Sequence, residues 1–423
     1  FFFKQKTAYE IVDCDWSSDV CSSDLLGGST YINLLPEILP LLDQAGYDIE
    51  LDDNRSYQQT FNFTQVSANT FAQYTWPKGH PKEGEPIELR DYQVEVINRF
   101  LENPQSIQEV ATGAGKTITT AALSYSIEQY GRSIVIVPNK SLVTQTEEDY
   151  KNVGLDVGVY FGDRKEWGKK HTICTWQSLN NLLKLTQSRE AEFTIQEFIE
   201  DVICVMVDEV HMAKADALKT LLTGVFAQVP IRWGLTGTIP KAQYEAQALY
   251  VSLGNVIGKL SASELQDKGV LAQCHVNIIQ LQDHVEFTNY QSELKHLLED
   301  KNRLDTIAEL VLKIKDSGNT LILVDRVNAG KEIVDRLPNA VFVSGETKLT
   351  ERKEEYDEVA TANDKIIVAT YGVASVGINI PRIFNLVLVE PGKSFVRVIQ
   401  SIGRGIRKAE DKDHVEIWDI TST

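Results

Sequence analysis

Sulfur is scarce in this chain, with five cysteines and two methionines in 423 residues. Cys14 and Cys21 fall in a leading stretch set apart below. Cys174, Cys204 and Cys274 are far apart, and each lies in an apolar run ("TICTW", "VICVM", "AQCHV"). No two cysteines have the spacing of a zinc site or a disulfide framework, so those classes drop out. The three read as core residues, and a reducing, cytoplasmic setting is expected. Long apolar runs are also missing. None approaches the roughly 20 uncharged residues of a membrane span, so no membrane partner is expected. Basic charge is short, at 42 Lys and Arg against 60 Asp and Glu, a net charge of -18. That excludes a basic coat holding nucleic acid nonspecifically, but not a groove lined locally by Lys, Arg and backbone N–H groups. Low-complexity tracts and short repeats are absent too.

What remains is an ordinary globular composition, 43% hydrophobic and 24% charged, long enough for two domains and a piece of a third. Residues 1–25 begin without Met and lack the ordered zones of a signal peptide. They resemble translated sequencing-adapter read-through and are expected to lie outside the fold. Residues 26–75 open abruptly on a helix and a strand, "INLLPEILPLLDQAGYDIELDD", as the remnant of a nucleic-acid-binding N-terminal domain would. Residues 76–85 carry Pro, Gly and charge and read as a linker. Beyond them, near-continuous apolar strands alternate with amphipathic helices in two groups, 86–255 and 256–423. That pattern predicts α/β architecture with two parallel sheets, each covered on both faces. "WDITST" suggests a chain cut soon after its last strand.

"ATGAGKT", residues 111–117, sits between a strand and a helix. Phosphate needs many N–H donors and positive charge with no bulky side chain in the way. Gly113 and Gly115 let the backbone curl, and the following helix adds its dipole. Lys116 can reach the β- and γ-phosphates of a nucleotide, and the Thr117 hydroxyl can ligate Mg²⁺. Thr112 and Ala114 complete the cradle. The strict phosphate-loop pattern wants Gly where this chain has Val110. "VICVMVDEVHMA" runs an apolar strand into Asp208 and Glu209. Ligands bind outside the carboxyl ends of such strands. Asp208 is therefore placed to hold Mg²⁺, and Glu209 to orient and deprotonate a water. A lone acidic pair is more often a solvated turn, but a strand this apolar running straight into two carboxylates argues for a site. His211 gains a coupling role only from its neighbours.

"ATGAGKT", "DEVH", "GLTGT", "VATYGVASVGINI" and "QSIGRGIRK" stand in the order and approximate spacing of the superfamily 2 helicases, which the chain resembles from about residue 86 to its end. "LRDYQ" resembles that family's adenine-reading glutamine motif. "TWQSL", "ATYGVASVGINI" and the leading "INLLPEILPLLDQAGYDIELDD" are most similar to the UvsW-type phage helicases. The resemblance implies two RecA-like domains in tandem, ATP and Mg²⁺ as cofactors, and DNA as partner, with RNA–DNA hybrids also in range and a monomer expected. Gln93 and Arg90 would serve the base. Gly377 would join the nucleotide site. Thr236 and Thr238 would couple it to nucleic acid, and Gln400, Arg404 and Arg407 would face the γ-phosphate. An arginine finger supplied from the second lobe would confine hydrolysis to a closed state. Contacts to the nucleic-acid backbone would come from Pro138, Lys140, Ser141, Thr175 and Gln177, and from Arg326, Ser344, Gly345, Thr370 and Gly372. Hydroxyls and glycine N–H groups suit phosphates and carry no sequence information. Trp176 could stack on a base, but reads better as core. Many family members carry Asp where this chain has Asn379.

The expected activity is thus an ATP-dependent DNA helicase or translocase acting on forks and recombination intermediates. A restriction-system motor is the first alternative, but no nuclease carboxylate–lysine cluster is recognisable. A nucleic-acid scaffold that binds ATP without turnover is the second. A metabolite kinase would leave the second group of strands unexplained.

Overall fold

The computed structural model describes residues 31–50, 61–78, 80, 82–210, 215–240, 243–282, 285–345, 347, 358–359, 361–377, 380, 382–389, 409 and 411–422. The expected adapter-like stretch 1–25 lies outside the described residues. The chain divides into two units, Phe1–Glu109 with Thr117–Lys259, and Val110–Lys116 with Leu260–Thr423.

In the first unit the apolar runs form β1 (Gln105–Val110), β2 (Arg132–Val137), β3 (Val157–Phe161), β4 (Arg164–Lys165), β5 (His171–Thr175), β6 (Val202–Asp208), β7 (Ile231–Thr236) and β8 (Val256–Leu260). They make one sheet in the order β4-β3-β5-β2-β6-β7-β1-β8. Pairing is parallel from β3 through β1, and the short β3–β4 hairpin is antiparallel. β8 lies beside β1, with Ile107 N donating to Asn255 O and Ala111 N to Leu260 O, both at 2.9 Å. The first unit runs to Lys259, within this strand.

Helix Asp91–Glu102 precedes β1, and Lys116–Ile127, Lys140–Asn152, Trp176–Ser188 and Gln243–Leu253 fall between the strands. One core joins Ile107, Ile134, Ile136, Val205 and Val207 of the sheet to Phe198, Phe226 and Leu253, with Trp176 half-buried against it. Full burial of such a side chain is worth about 1.5–3 kcal/mol, which is why these strands are apolar on both faces. Cys174 and Cys204 are buried as expected, but Cys274 is exposed. It is the second residue of an edge strand of the second unit, Gln273–Leu281, whose first four residues are all exposed.

The expected helix near the front is Leu35–Gln44. Leu34, Ile38 and Leu42 bury against Val251, and Asn33 Nδ2 donates to Val251 O at 3.1 Å. No strand follows among the described residues up to 50. The Pro- and Gly-bearing stretch folds back on itself through a Thr75–Pro86 bridge, with Trp76 stacked on His80 at 4.0 Å.

Helix Lys140–Asn152 buries a carboxylate, and this makes stability pH-dependent. Glu147, with its side chain 5% exposed, takes both guanidinium nitrogens of Arg164 at 2.7 and 2.9 Å and the Lys151 ammonium at 2.6 Å. The Arg164 bonds hold its pKa down to about 2. A depressed acid stabilises the fold above its unfolded pKa and loses that contribution as pH falls through the folded value. The loss should therefore run from about pH 4.5 down to about pH 2. Arg164 and Lys151 both reach solvent, so screening reduces the effect to on the order of 1–2 kcal/mol. Asp149, raised to about 6 by burial, titrates in the opposite sense. The gap in unfolding free energy between wild type and Glu147→Gln should accordingly be constant above about pH 4.5 and close as pH falls toward about 2. A gap that does not change between pH 4.5 and pH 2 would refute the assignment.

The second unit holds β9 (Gln273–Leu281), β10 (Thr320–Val324), β11 (Ala340–Val343), β12 (Ile366–Thr370), β13 (Asn385–Leu388) and β14 (His414–Ser422). The order is β11-β12-β10-β13-β14-β9, and every pairing is parallel. Helix Lys301–Ile314 packs Leu304, Ile307 and Val311 on Ile322, Val324, Val368 and Val387. Each unit is thus a parallel-sheet α/β domain, as expected.

Candidate active site

The parallel register decides which strand ends lie side by side. Glu109 of β1 pairs with Thr236 of β7, and Leu235 of β7 with Asp208 of β6. The carboxyl ends of these three strands are therefore side by side, and "ATGAGKT", "DEVH" and "GLTGT" leave from one edge. Next along that edge come β2 and β5, whose Val137 and Thr175 are paired.

The loop leaving β1 turns at Gly113 (φ 89°) and Gly115 (φ 83°), both in the left-handed region that favours glycine. Ala114 N donates to Ala111 O at 3.3 Å, tightening the turn. Lys116 opens the helix Lys116–Ile127 and is 9% exposed. Its Nζ lies 3.4 Å from Val110 O. Thr117 is in the first turn, where Thr120 Oγ1 donates to its carbonyl at 2.8 Å. Thr112, like Lys116, is buried.

Glu209 is 5% exposed and itself left-handed, at φ 51°. A non-glycine residue seldom adopts that backbone, and such strain concentrates at functional sites. Its N–H donates to Asp208 Oδ1 at 2.9 Å, and its Oε2 accepts from Gly237 N at 3.4 Å. Thr236 Oγ1 donates to Thr238 O at 2.9 Å and accepts from Thr238 N at 3.3 Å. The acidic pair and the "GLTGT" turn are thus one hydrogen-bonded unit. Among the described residues no three His, Cys, Asp or Glu side chains group to hold a metal. Asp208 with the Thr117 hydroxyl still fits Mg²⁺, which is bound through one or two carboxylates plus substrate phosphates and water rather than in a protein cage.

Gln93 is buried, and its Oε1 accepts from Arg90 N at 2.9 Å, while Arg90 Nη1 donates to Tyr92 OH at 2.7 Å. The glutamine motif therefore also caps helix Asp91–Glu102. Two other helix starts gather the nucleic-acid candidates. Asn139, between Pro138 and Lys140, caps Lys140–Asn152 through Leu142 N at 3.0 Å, which places Ser141 in the first turn. Thr175 caps Trp176–Ser188 through Ser178 N at 3.3 Å, which places Gln177 in its first turn, exposed. Free N–H groups and the dipole at such ends suit phosphate.

In the second unit, Arg326 follows β10, Ser344 and Gly345 follow β11, and Thr370 ends β12 with Gly372 just beyond. β11, β12 and β10 are adjacent and parallel, so these candidates share one edge. Arg326 is exposed, with Nη2 3.2 Å from Gln291 Oε1. Gly377 ends the helix Tyr371–Gly377. His211, Asn379, Gln400, Arg404 and Arg407 lie outside the described residues. Sequence reasoning missed Gly237, whose backbone N–H meets Glu209, and Leu271, whose Cδ2 would lie 2.8 Å from a Cβ added at Gly113. The first could be read from "GLTGT" only by its place between two threonines. The second left no signal, because it depends on chain return.

Residues 86–241 match the family described as "Type III restriction enzyme, res subunit", and residues 302–409 match "Helicase conserved C-terminal domain". The chain is 26% identical to the ATP-dependent DNA helicase uvsW of Enterobacteria phage T4, over 92% of the chain and 80% of that protein. It is also 26% identical to a putative DNA 3'-5' helicase Rad25 of Haloarcula marismortui, over 77% of the chain and 51% of that protein. The fold is shared with a fragment of a putative HsdR subunit of a type I restriction enzyme from Vibrio vulnificus, with TM-score 0.59, 20% identity, and cover of 78% of this chain and 64% of that one. No helix among the described residues is long and apolar enough to cross a membrane.

Proposed function

We infer, for a chain that belongs to the superfamily 2 helicases and is an ATP-dependent enzyme of that class, that it spends ATP on remodelling branched DNA, at forks and recombination intermediates, in the cytoplasm of a phage host. The observation that carries this reading is the common edge of the first sheet, where the phosphate loop, the acidic pair and two capped helix starts emerge together.

In this reading the loop's N–H groups and Lys116 bind the β- and γ-phosphates. Thr117 and Asp208 would hold Mg²⁺, which when bound would supply positive charge beside the phosphate oxygens. Glu209 orients the attacking water and takes its proton. Its bond to Gly237 ties that carboxylate to the Thr236–Thr238 turn, so a shift at the turn re-aims the base. Gln400, Arg404 and Arg407 would add positive charge at the γ-phosphate, Gln93 and Arg90 would read the base, and His211 would assist coupling. The helix starts at Lys140, Ser141, Thr175 and Gln177, together with Arg326, Ser344, Gly345, Thr370 and Gly372, would grip the nucleic-acid backbone. Such contacts let a motor pass over any sequence.

The test is ATP turnover with no nucleic acid, single-stranded, duplex and forked DNA, RNA, and an RNA–DNA hybrid. Stimulation should be several-fold and greatest with forked DNA. Turnover indifferent to all of them would remove the motor reading. The match to a restriction-enzyme family favours a second reading, a restriction-system motor. That reading requires linear duplex to stimulate as well as a fork.

A further inference from the structure

The segment leaving the first sheet does not run directly into the second. Between β8 and β9, residues 261–272 fold into a compact turn. Ser261 caps the short helix Ala262–Asp267 in a reciprocal box with Glu264, the two bonds being 3.2 and 2.7 Å. The chain then reverses. Val270 N and Leu271 N both donate to Leu265 O, at 2.8 and 3.2 Å, and Gln266 Nε2 donates to Ala272 O at 2.8 Å. Leu271 is 3% exposed and Ala272 1% exposed.

This turn is closed onto the phosphate loop at two points. At one end Ala111 N donates to Leu260 O at 2.9 Å. At the other the Leu271 side chain packs over Gly113, so near that a Cβ there would stand 2.8 Å from Leu271 Cδ2. Gly113 therefore meets two demands at once, a left-handed backbone and an apolar neighbour at contact distance. The loop's curl is braced from outside the strand and helix that flank it.

We propose that Leu271 is a positioning residue for the ATPase: with the 260–272 turn it holds the phosphate loop in its phosphate-accepting curl, and nucleotide binding in turn stiffens that turn. This rests on the nucleotide-binding reading of the loop and adds a residue to it. The physical reason is preorganisation. A glycine-rich loop has many conformations to lose on binding, and an apolar brace removes some of them beforehand. Binding energies are reciprocal, so a brace that favours the bound loop must itself be favoured by nucleotide.

The test uses the whole chain. Hydrogen exchange is followed with and without a non-hydrolysable ATP analogue, and KM and kcat for ATP are measured for wild type, Leu271→Ala and Leu271→Met. In wild type the Val270 and Leu271 amides should exchange several-fold more slowly with the analogue bound. Leu271→Ala should raise KM for ATP about tenfold with kcat much less affected, and should abolish the nucleotide-dependent protection at Val270. Leu271→Met, which keeps apolar bulk, should restore most of both. Wild-type exchange at 265–272 indifferent to bound analogue would overturn the proposal, and so would an unchanged KM in Leu271→Ala. No analogue binding in wild type would instead sink the nucleotide-site reading beneath it.

Discussion

Lys116→Ala should reduce ATP turnover about 10²–10³-fold, and Glu209→Gln about 10²–10⁴-fold, with the fold of the first unit intact. The two losses have different origins. Lys116 would supply positive charge where phosphoryl transfer concentrates negative charge, and no neighbour in the loop "ATGAGKT" can replace it. Glu209→Gln keeps the volume and leaves an oxygen to accept from Gly237 N, so the backbone bond survives while the proton acceptor is gone. A steady-state assay at saturating ATP, paired with nucleotide-binding titrations, separates them. Lys116→Ala should weaken binding as well as turnover. Glu209→Gln should still bind ATP and stall. Wild-type turnover in both variants would remove the site assignment. Neither change should lower the melting temperature much, because each side chain serves the ligand more than the core.

The second large effect is on stability, at a residue no motif marks. Asn319 is fully buried just before β10. Its Nδ2 lies 2.9 Å from Val359 O, 2.8 Å from Ala362 O and 3.0 Å from Arg382 O, while its Oδ1 accepts from Lys365 N at 3.0 Å. Its own carbonyl accepts from Phe384 N at 2.9 Å and Asn385 N at 3.2 Å. One side chain thus satisfies the backbone at the amino ends of β12 and β13, which flank β10. Asn319→Ala would take this partner from those groups, of which the Val359 carbonyl is buried and the other three half-buried. Each such group costs about 1–3 kcal/mol, and because they share one network the total should be about 3–5 kcal/mol. Denaturant unfolding should show the loss in the second unit's transition. A change below about 1 kcal/mol would mean that water or a local shift takes over the bonds.

These two cases mark how far the sequence could be read. Lys116, Asp208 and Glu209 stand out because chemistry constrains residue type at fixed short spacing. The strands of both units stand out because a sheet covered on both faces must be apolar throughout. Asn319 looked like an ordinary residue in "DSGNTLILV", and Cys274 in "AQCHV" looked like core but lies exposed on the edge strand β9. Neither burial nor strand position can be read from a local string.

The sequence by itself determined the α/β class, the two successive groups of strands, and the loop, acidic pair and turn that make a nucleotide site chemically plausible, since each is written in contiguous residues. Only the tertiary structure decided that "ATGAGKT", "DEVH" and "GLTGT" leave one edge, that Gly237 meets Glu209, that β8 extends the first sheet, and that Leu271 leans on Gly113. Strand order and chain return depend on which distant apolar faces pack together, and that is a property of the whole folded chain.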